Sequence, residues 1–208
     1  LHVEHLHAAA PEPLLGVLQQ RAPDPAAMVL RVHGEHVVLG GLGEVPLDVV
    51  PLIKTVSALE CAGPLLRSLL AEPSYRRHLG ARGRRQTVLL GYSESNQAIG
   101  IASSRHAIYQ AQVELMAAAA EAIVDLTLFY GRGGPSSRGG GPIEQLVENA
   151  PDGATRGRLR ATEQGEGISN SYGLRRIALR SFEKAVFAVA KDRIEAPRAP
   201  ARERELRA

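Results

Sequence analysis

The sequence predicts a parallel α/β fold, and three observations carry that prediction. Short apolar runs of strand character alternate with segments of helical period. Polar and glycine-rich residues gather after each apolar run, at Lys54–Thr55, Ser93–Gly100, Gly131–Gly141 and Glu163–Gly167. Those are the positions where parallel α/β folds place their sites. Aromatics make up only 4% of the 208 residues and Trp is absent, so a core must be built from Leu, Val, Ile and Ala.

The elements follow in order. Residues 1–27 are rich in Ala, Pro and His, with a short helix predicted at Pro13–Gln20. Met28–Leu39 reads as two short strands around His33–Gly34–Glu35, in the manner of a hairpin. Val45–Thr55 contains a continuous apolar run expected of a strand buried on both faces. A helix is predicted over Pro64–Ala71, ended by Pro73. Thr87–Tyr92 is a second buried strand, and Ser103–Ile123 a long Ala-rich helix with Ile108, Ala111, Leu115 and Ala118 on its apolar face. Val124–Tyr130 is a third strand, Ile143–Glu148 is helical, and Arg158–Thr162 is a short fourth strand. Ser181–Ile194 closes the series as an amphipathic helix, and the Pro-containing, mixed-charge tail 196–208 reads as disordered.

The stretch Leu126–Gly141, LTLFYGRGGPSSRGGG, carries the most chemistry. An apolar strand runs into a glycine-rich loop that holds Arg132 and Arg138, and Pro142 is placed to open the next helix. Glycines let the backbone turn tightly and approach a ligand, and two arginines six residues apart can address one anion. The following helix start adds N–H groups and a positive dipole end. The loop therefore reads as a phosphate or carboxylate site at a strand end. A structured loop is favoured over an RNA-binding arginine-glycine tract, because a strand precedes it and a Pro-led helix follows.

Composition bounds the partners. The net charge is +3 and the sequence pI about 9.3, with arginine supplying all but three of the 25 basic residues. The basic residues are spread along the chain except at Arg76–Arg85, read as a solvated helix end, so a nucleic-acid footprint is not favoured over a compositional bias. The single cysteine, Cys61, allows no internal disulfide and is read as a small core residue. No stretch of about 18 apolar residues marks a membrane span, and the first residues do not resemble a secretory leader, so a cytoplasmic location is expected. His2, His5 and His7 could bind a metal but lie in a stretch read as disordered, where such a pattern is more often inert. His33 and His36 flank a possible turn with no matching carboxylate cluster and are read as structural.

Six motifs in order, VVPLIKT, LLGYSESN, YQAQ, LTLFYGRGG, SRGGGP and ATEQGE, resemble those of the C-terminal half of phosphoenolpyruvate carboxylase over about Leu47–Leu174. The resemblance implies a partial β/α (TIM-like) barrel of about four to five parallel strands over residues 45–195, preceded by an unassigned segment 1–44. It implies an enzyme that joins phosphoenolpyruvate and bicarbonate to give oxaloacetate and phosphate, with Mg²⁺ or Mn²⁺ as cofactor. Arg132 and Arg138 match the arginines that hold the anion and act in catalysis, with Gly133, Gly134 and Gln164 as further anion-binding positions. The family's essential histidine lies in an N-terminal half not represented here. A truncated, inactive homologue is therefore expected, as a homo-oligomer or with a complementing chain. The alternative is a non-catalytic anion-binding or interaction protein using Arg132 and Arg138.

The departures fall on the chemistry. The resemblance implies two metal carboxylates, and Lys54 stands at the first while Glu94, longer by one methylene than the family's Asp, stands at the second. Gln97 replaces a lysine, Tyr130 a histidine, and Arg175–Arg176 a Pro-Glu pair. A lysine repels a divalent cation by roughly 8 kcal/mol at about 4 Å and an effective dielectric near 20. Two readings of the reversal stand open: the Lys54 ammonium occupies the metal position and pairs with Glu94, or both positions drifted.

Overall fold

Four short strands pair side by side in the order in which the chain makes them. The computed structural model describes residues 28–32 and 35–39 as backbone, and residues 48–135 and 140–195. The helix predicted at Pro13–Gln20 and the tail 196–208 lie outside the described residues. Strands β1 (Met28–Val32) and β2 (Glu35–Leu39) form the antiparallel hairpin that the sequence predicts, with Val32 opposite Glu35.

The main sheet is parallel, in the order β3 (Leu52–Ile53), β4 (Arg85–Gly91), β5 (Asp125–Gly131), β6 (Arg160–Ala161). Sequential order in an all-parallel sheet requires a crossover after each strand. Between β3 and β4 the crossover is α1 (Val56–Glu60), α2 (Ala62–Ala71) and α3 (Pro73–Ala81). Between β4 and β5 it is α4 (Ser93–Ile99) and α5 (Ile101–Glu121), and between β5 and β6 it is α6 (Ile143–Glu148). Helices α7 (Gly165–Tyr172) and α8 (Arg175–Glu195) follow the last strand. This is an α/β architecture compatible with part of a β/α barrel.

Both outer strands are shorter than the sequence predicts. Among the described residues 48–55 of the predicted run only Leu52–Ile53 form a strand, because Pro51 has no N–H to give the ladder; its carbonyl still accepts from the Leu89 N–H at 2.8 Å. At the other edge β6 is two residues, extended by the Thr162 N–H donating to the Tyr130 carbonyl at 2.9 Å.

The central strands are not buried on both faces as expected. Gln86, Val88 and Leu90 of β4 and Leu126, Leu128 and Tyr130 of β5 are buried, while the residues between them are half-buried. Apart from Gln86, the buried set packs with Ala58, Leu59, Leu66, Ile108, Ala111, Leu115 and Ala118 of α1, α2 and α5 in one apolar cluster. Alanines let α5 lie close to the sheet, and a two-layer arrangement leaves the opposite face partly open. On that open face the Arg160 guanidinium lies 4.6 Å from the centre of the Phe129 ring, its partner in register, a cation–π contact.

Helix boundaries follow capping chemistry. The Thr55 hydroxyl accepts from the Ala58 N–H at 3.2 Å and starts α1, as an N-cap should. The helix over Ala62–Ala71 ends just before Pro73, as the sequence predicts, and Pro73 then opens α3 at its first turn, where its missing N–H costs nothing. Ser93–Gly100, expected as a strand-end loop, is mostly helix α4, cut from α5 at Gly100 with φ 79°. Cys61 is half-buried at the junction of α1 and α2, at the rim of the core. Arg76 and Arg77 are exposed on α3, as expected of a solvated surface, but the same helix turns Tyr75, His78 and Leu79 into the core.

Candidate functional site

A parallel sheet puts the carboxyl ends of all its strands on one edge. The residues immediately beyond those ends are Lys54 after β3, Arg132 after β5 and Glu163 two residues after β6, with Glu94 in the first turn of α4 beyond β4. They form two ion pairs, each spanning neighbouring strands. The Lys54 Nζ donates to Glu94 Oε1 at 2.5 Å, with the lysine side chain 12% exposed and the glutamate 42%. The Arg132 Nη2 donates to Glu163 Oε1 at 2.7 Å, with the arginine 5% exposed and the glutamate 19%.

The backbone around each pair is shaped to allow it. A methyl group added at Gly91, beside β3, would come within 2.7 Å of the Lys54 Cβ. Only glycine therefore lets Lys54 lie against the end of β4. Thr162 donates from its hydroxyl to the Arg132 carbonyl at 3.1 Å, holding the end of β5 against the residue that precedes Glu163. Tyr172 of α7 donates to the same Glu163 oxygen at 3.5 Å, and its phenol is held above the ordinary tyrosine range by burial and by that carboxylate.

Tyr92, at the end of β4, is 3% exposed. Burial pushes its pKa up to about 12, opposed by the positive charges of Arg105 and Arg132. The Arg105 guanidinium sits 5.7 Å from its ring centre. Ser95 and Ser104 share a hydrogen bond of 2.7 Å in the core and lock α4 to α5.

The predicted site residues do not all come together in the fold. Lys54, Glu94 and Arg132 lie at the strand ends as expected. Gly133 and Gly134 lead out of the site, and a Cβ at Gly140 would collide with the Gly134 carbonyl oxygen. The loop thus closes on itself where only glycine fits. Arg138 lies outside the described residues. Gln164 is exposed at the N-cap of α7 without a side-chain capping bond. Gln97 is exposed on α4, and among the described residues no hydrogen bond ties it to the two ion pairs. Tyr130, which stands just before the loop where the resemblance implies a histidine, turns away from it. It is 1% exposed, and its hydroxyl donates to the Gln112 side-chain oxygen of α5 at 3.0 Å. The reason is strand parity: Tyr130 shares the core face with Leu126 and Leu128. Burial holds its phenol far above its usual range.

These residues do not fit a divalent metal. The Glu94 carboxylate is engaged by an ammonium, and among the described residues no group of three or more His, Cys, Asp or Glu is placed to hold a metal ion. Mg²⁺ and Mn²⁺ favour several oxygen donors, and the cation at Lys54 opposes them.

Beside the second pair lies a cavity of about 460 Å³ between β5, α6, α7 and α8, lined by Arg132, Glu144, Glu163, Arg176, Arg180 and Lys184 among others. Sequence reading missed its α8 wall. The helix was expected to begin at Ser181, but it begins at Arg175, so the four-residue spacing of Arg176, Arg180 and Lys184 was cut at the predicted boundary. That spacing is the signal that would have found them.

An α/β chain with charged side chains collected beyond the carboxyl ends of sequential parallel strands belongs to the class whose sites are built at that edge. The sequence profile of phosphoenolpyruvate carboxylase matches residues 26–207, and the chain belongs to that family. The match reaches further toward both ends than the motifs that suggested it. Curated phosphoenolpyruvate carboxylases similar to the chain include one from Xanthomonas euvesicatoria pv. vesicatoria, 52% identical over 165 residues, covering 77% of this chain and 18% of that protein. Another, from Corynebacterium diphtheriae, is 43% identical over 150 residues, covering 72% and 17%. One from Azorhizobium caulinodans is 40% identical over 162 residues, covering 78% and 17%. The chain thus spans less than a fifth of the length of these relatives. No helix among the described residues is long and apolar enough to cross a membrane.

Proposed function

We propose that this chain carries the anion-holding strand ends of a phosphoenolpyruvate carboxylase-type β/α barrel with its metal position replaced by an internal ion pair. On this reading the 208 residues do not by themselves convert phosphoenolpyruvate and bicarbonate to oxaloacetate and phosphate. The observation that carries it is the 2.5 Å contact between Lys54 Nζ and Glu94 Oε1. The ammonium supplies locally the positive charge that a bound divalent cation would bring, and it uses the carboxylate that such a cation would need. Arg132 keeps its place but is bonded to Glu163, so an incoming carboxylate or phosphate must compete with that pair.

The test is a coupled assay for oxaloacetate with the purified chain, phosphoenolpyruvate, bicarbonate and Mg²⁺ or Mn²⁺. We expect no turnover above the protein-free rate, and metal-dependent turnover by the chain alone would overturn the reading. Activity that returns only on mixing with a second chain carrying the remainder of the barrel would identify a complementing partner.

A second reading has its own support. The Arg132 Nε is buried with no hydrogen-bond partner among the described residues, so the guanidinium retains donor capacity beyond its bond to Glu163. That favours a non-catalytic anion-binding role for Arg132 with Arg138, in a cytoplasmic protein. Saturable binding of phosphoenolpyruvate without metal, lost in Arg132→Ala, is its expected signature.

A further inference from the structure

Helix α8 carries Arg176, Arg180 and Lys184 at four-residue spacing, and that spacing places three cations along one face. All three line the 460 Å³ cavity whose other wall holds Arg132. Two carboxylates, Glu144 and Glu163, share it. Each already has a cation of its own: Lys184 Nζ donates to Glu144 at 2.6 Å, and Arg132 donates to Glu163. The Lys184 bond pulls the Glu144 carboxyl below its usual range although burial pushes it up. Arg176 makes no ion pair among the described residues. Among the described residues the one ion pair of Arg180 is a 3.7 Å contact to Glu183 along its own helix, with both side chains more than half exposed, and its charge also helps to lower the Glu144 carboxyl. Four cations against two carboxylates leave about two positive charges uncompensated in one cavity. Its buried side adds the Arg132 guanidinium, 5% exposed, whose Nε has no hydrogen-bond partner among the described residues.

We propose that this cavity binds a phosphoryl dianion, as free phosphate or the end of a small phosphate monoester, held by Arg176 and Arg180 from α8 with Arg132 at its floor. Guanidinium forks match phosphate oxygens in pairs, and a dianion matches the surplus charge. The site goes beyond the family pattern at Arg176, which stands where the family resemblance implies a carboxylate. It shares Arg132 with the proposed function but rests on α8 cations that reading does not use.

The experiment titrates the full chain with inorganic phosphate by calorimetry at low ionic strength, with a small phosphate monoester in a parallel arm. Arg176→Glu and Arg180→Ala are each expected to weaken binding about tenfold or more, as loss of a charge-assisted hydrogen bond does, while Arg176→Lys stays within about threefold. Melting curves check that each variant folds, which the exposed positions of Arg176 and Arg180 favour. Tighter binding of the monoester than of phosphate marks the ester as the ligand, and equal binding marks phosphate itself. No saturable binding by the parent chain, or a loss below threefold in both α8 variants, overturns the proposal. A loss confined to Arg138→Ala moves the anion to the glycine-rich loop; it overturns the α8 site and leaves the proposed function standing.

Discussion

At the scale of single residues, Lys54 decides the character of the strand-end edge. Its ammonium is mostly buried, and Glu94 is its counter-charge. Lys54→Glu puts two carboxylates at the ends of β3 and β4, and like charges at that distance seek a cation. We expect Mn²⁺ at millimolar concentration to raise the melting temperature of Lys54→Glu by several degrees, roughly the linkage of a ligand well above its dissociation constant. The parent chain should show no such shift; equal shifts in both would refute the replacement of the metal by the lysine. The buried tyrosines make a second residue-scale prediction. Tyr75, Tyr92 and Tyr130 all have phenols raised by burial, Tyr92 to about 12. Unfolded tyrosines ionise near about pH 10, so above that pH the unfolded state loses protons that the folded state keeps. The stability these groups contribute is whole below about pH 10 and is lost as pH rises through the folded values. Melting temperature should therefore fall from about pH 10 upward. Reversible ionisation of all five tyrosines near pH 10 in the folded chain, read by ultraviolet absorbance, would contradict it.

At the scale of elements, two helices end in the same way with different residues. Helix α3 closes with Gly83 at φ 68°, the Gly83 N–H donating to Gly80 and the Arg84 N–H to Leu79. Helix α5 closes with the same pair of bonds, from Ile123 to Ala120 and from Val124 to Ala119, but Ile123 holds φ 54°. This is the Schellman closure, in which the left-handed residue is normally glycine. A β-branched residue there is strained, and Ile123 is 76% exposed, so it gives back little burial. We expect Ile123→Gly to stabilise the chain by about 1 kcal/mol, measured by urea unfolding; a net loss would show that Ile123 has a packing role. Asp192 of α8 shows the opposite case, a side chain that an element needs. It accepts from the Gly153 N–H at 2.7 Å and the Thr155 N–H at 3.3 Å, and bonds the Thr155 hydroxyl, fixing the turn that leads into β6.

At the scale of the whole molecule, the sheet ends at β3 and β6, each two residues long. Short edges limit strand-to-strand aggregation. Apolar surface is the larger liability: Leu179, Phe182, Val186, Phe187 and Ile194 of α8 are each more than half exposed. Scattered apolar residues are ordinary, but a run of them on one helix is a surface that seeks cover. We expect the isolated chain to self-associate at micromolar concentration. Light scattering that returns a monodisperse monomer would show that α8 tolerates water as it stands.

Much of the architecture was legible because periodicity is local. Thr87–Tyr92, Val124–Tyr130, Ser103–Ile123 and Ile143–Glu148 declare strand or helix from their own residues, and the structure moves their ends by three residues at most. The helix-forming stretches after β4 and β6 were less legible, since Ser, Asn and Gly obscure a helical pattern and read as loop. The site was legible in part. The motif departures marked Lys54 and Glu94 and the motif match marked Arg132, but motif order says nothing of which way a side chain turns.

The sequence by itself determined the family, the alternation of strand and helix, and the reversal of charge at Lys54. Only the tertiary structure decided that Lys54 meets Glu94, that Arg132 meets Glu163, and that Tyr130 faces the core. The physical reason is that partners 40 and 31 residues apart are set by the register of parallel strands and by strand parity. Neither is written in any one segment of the chain.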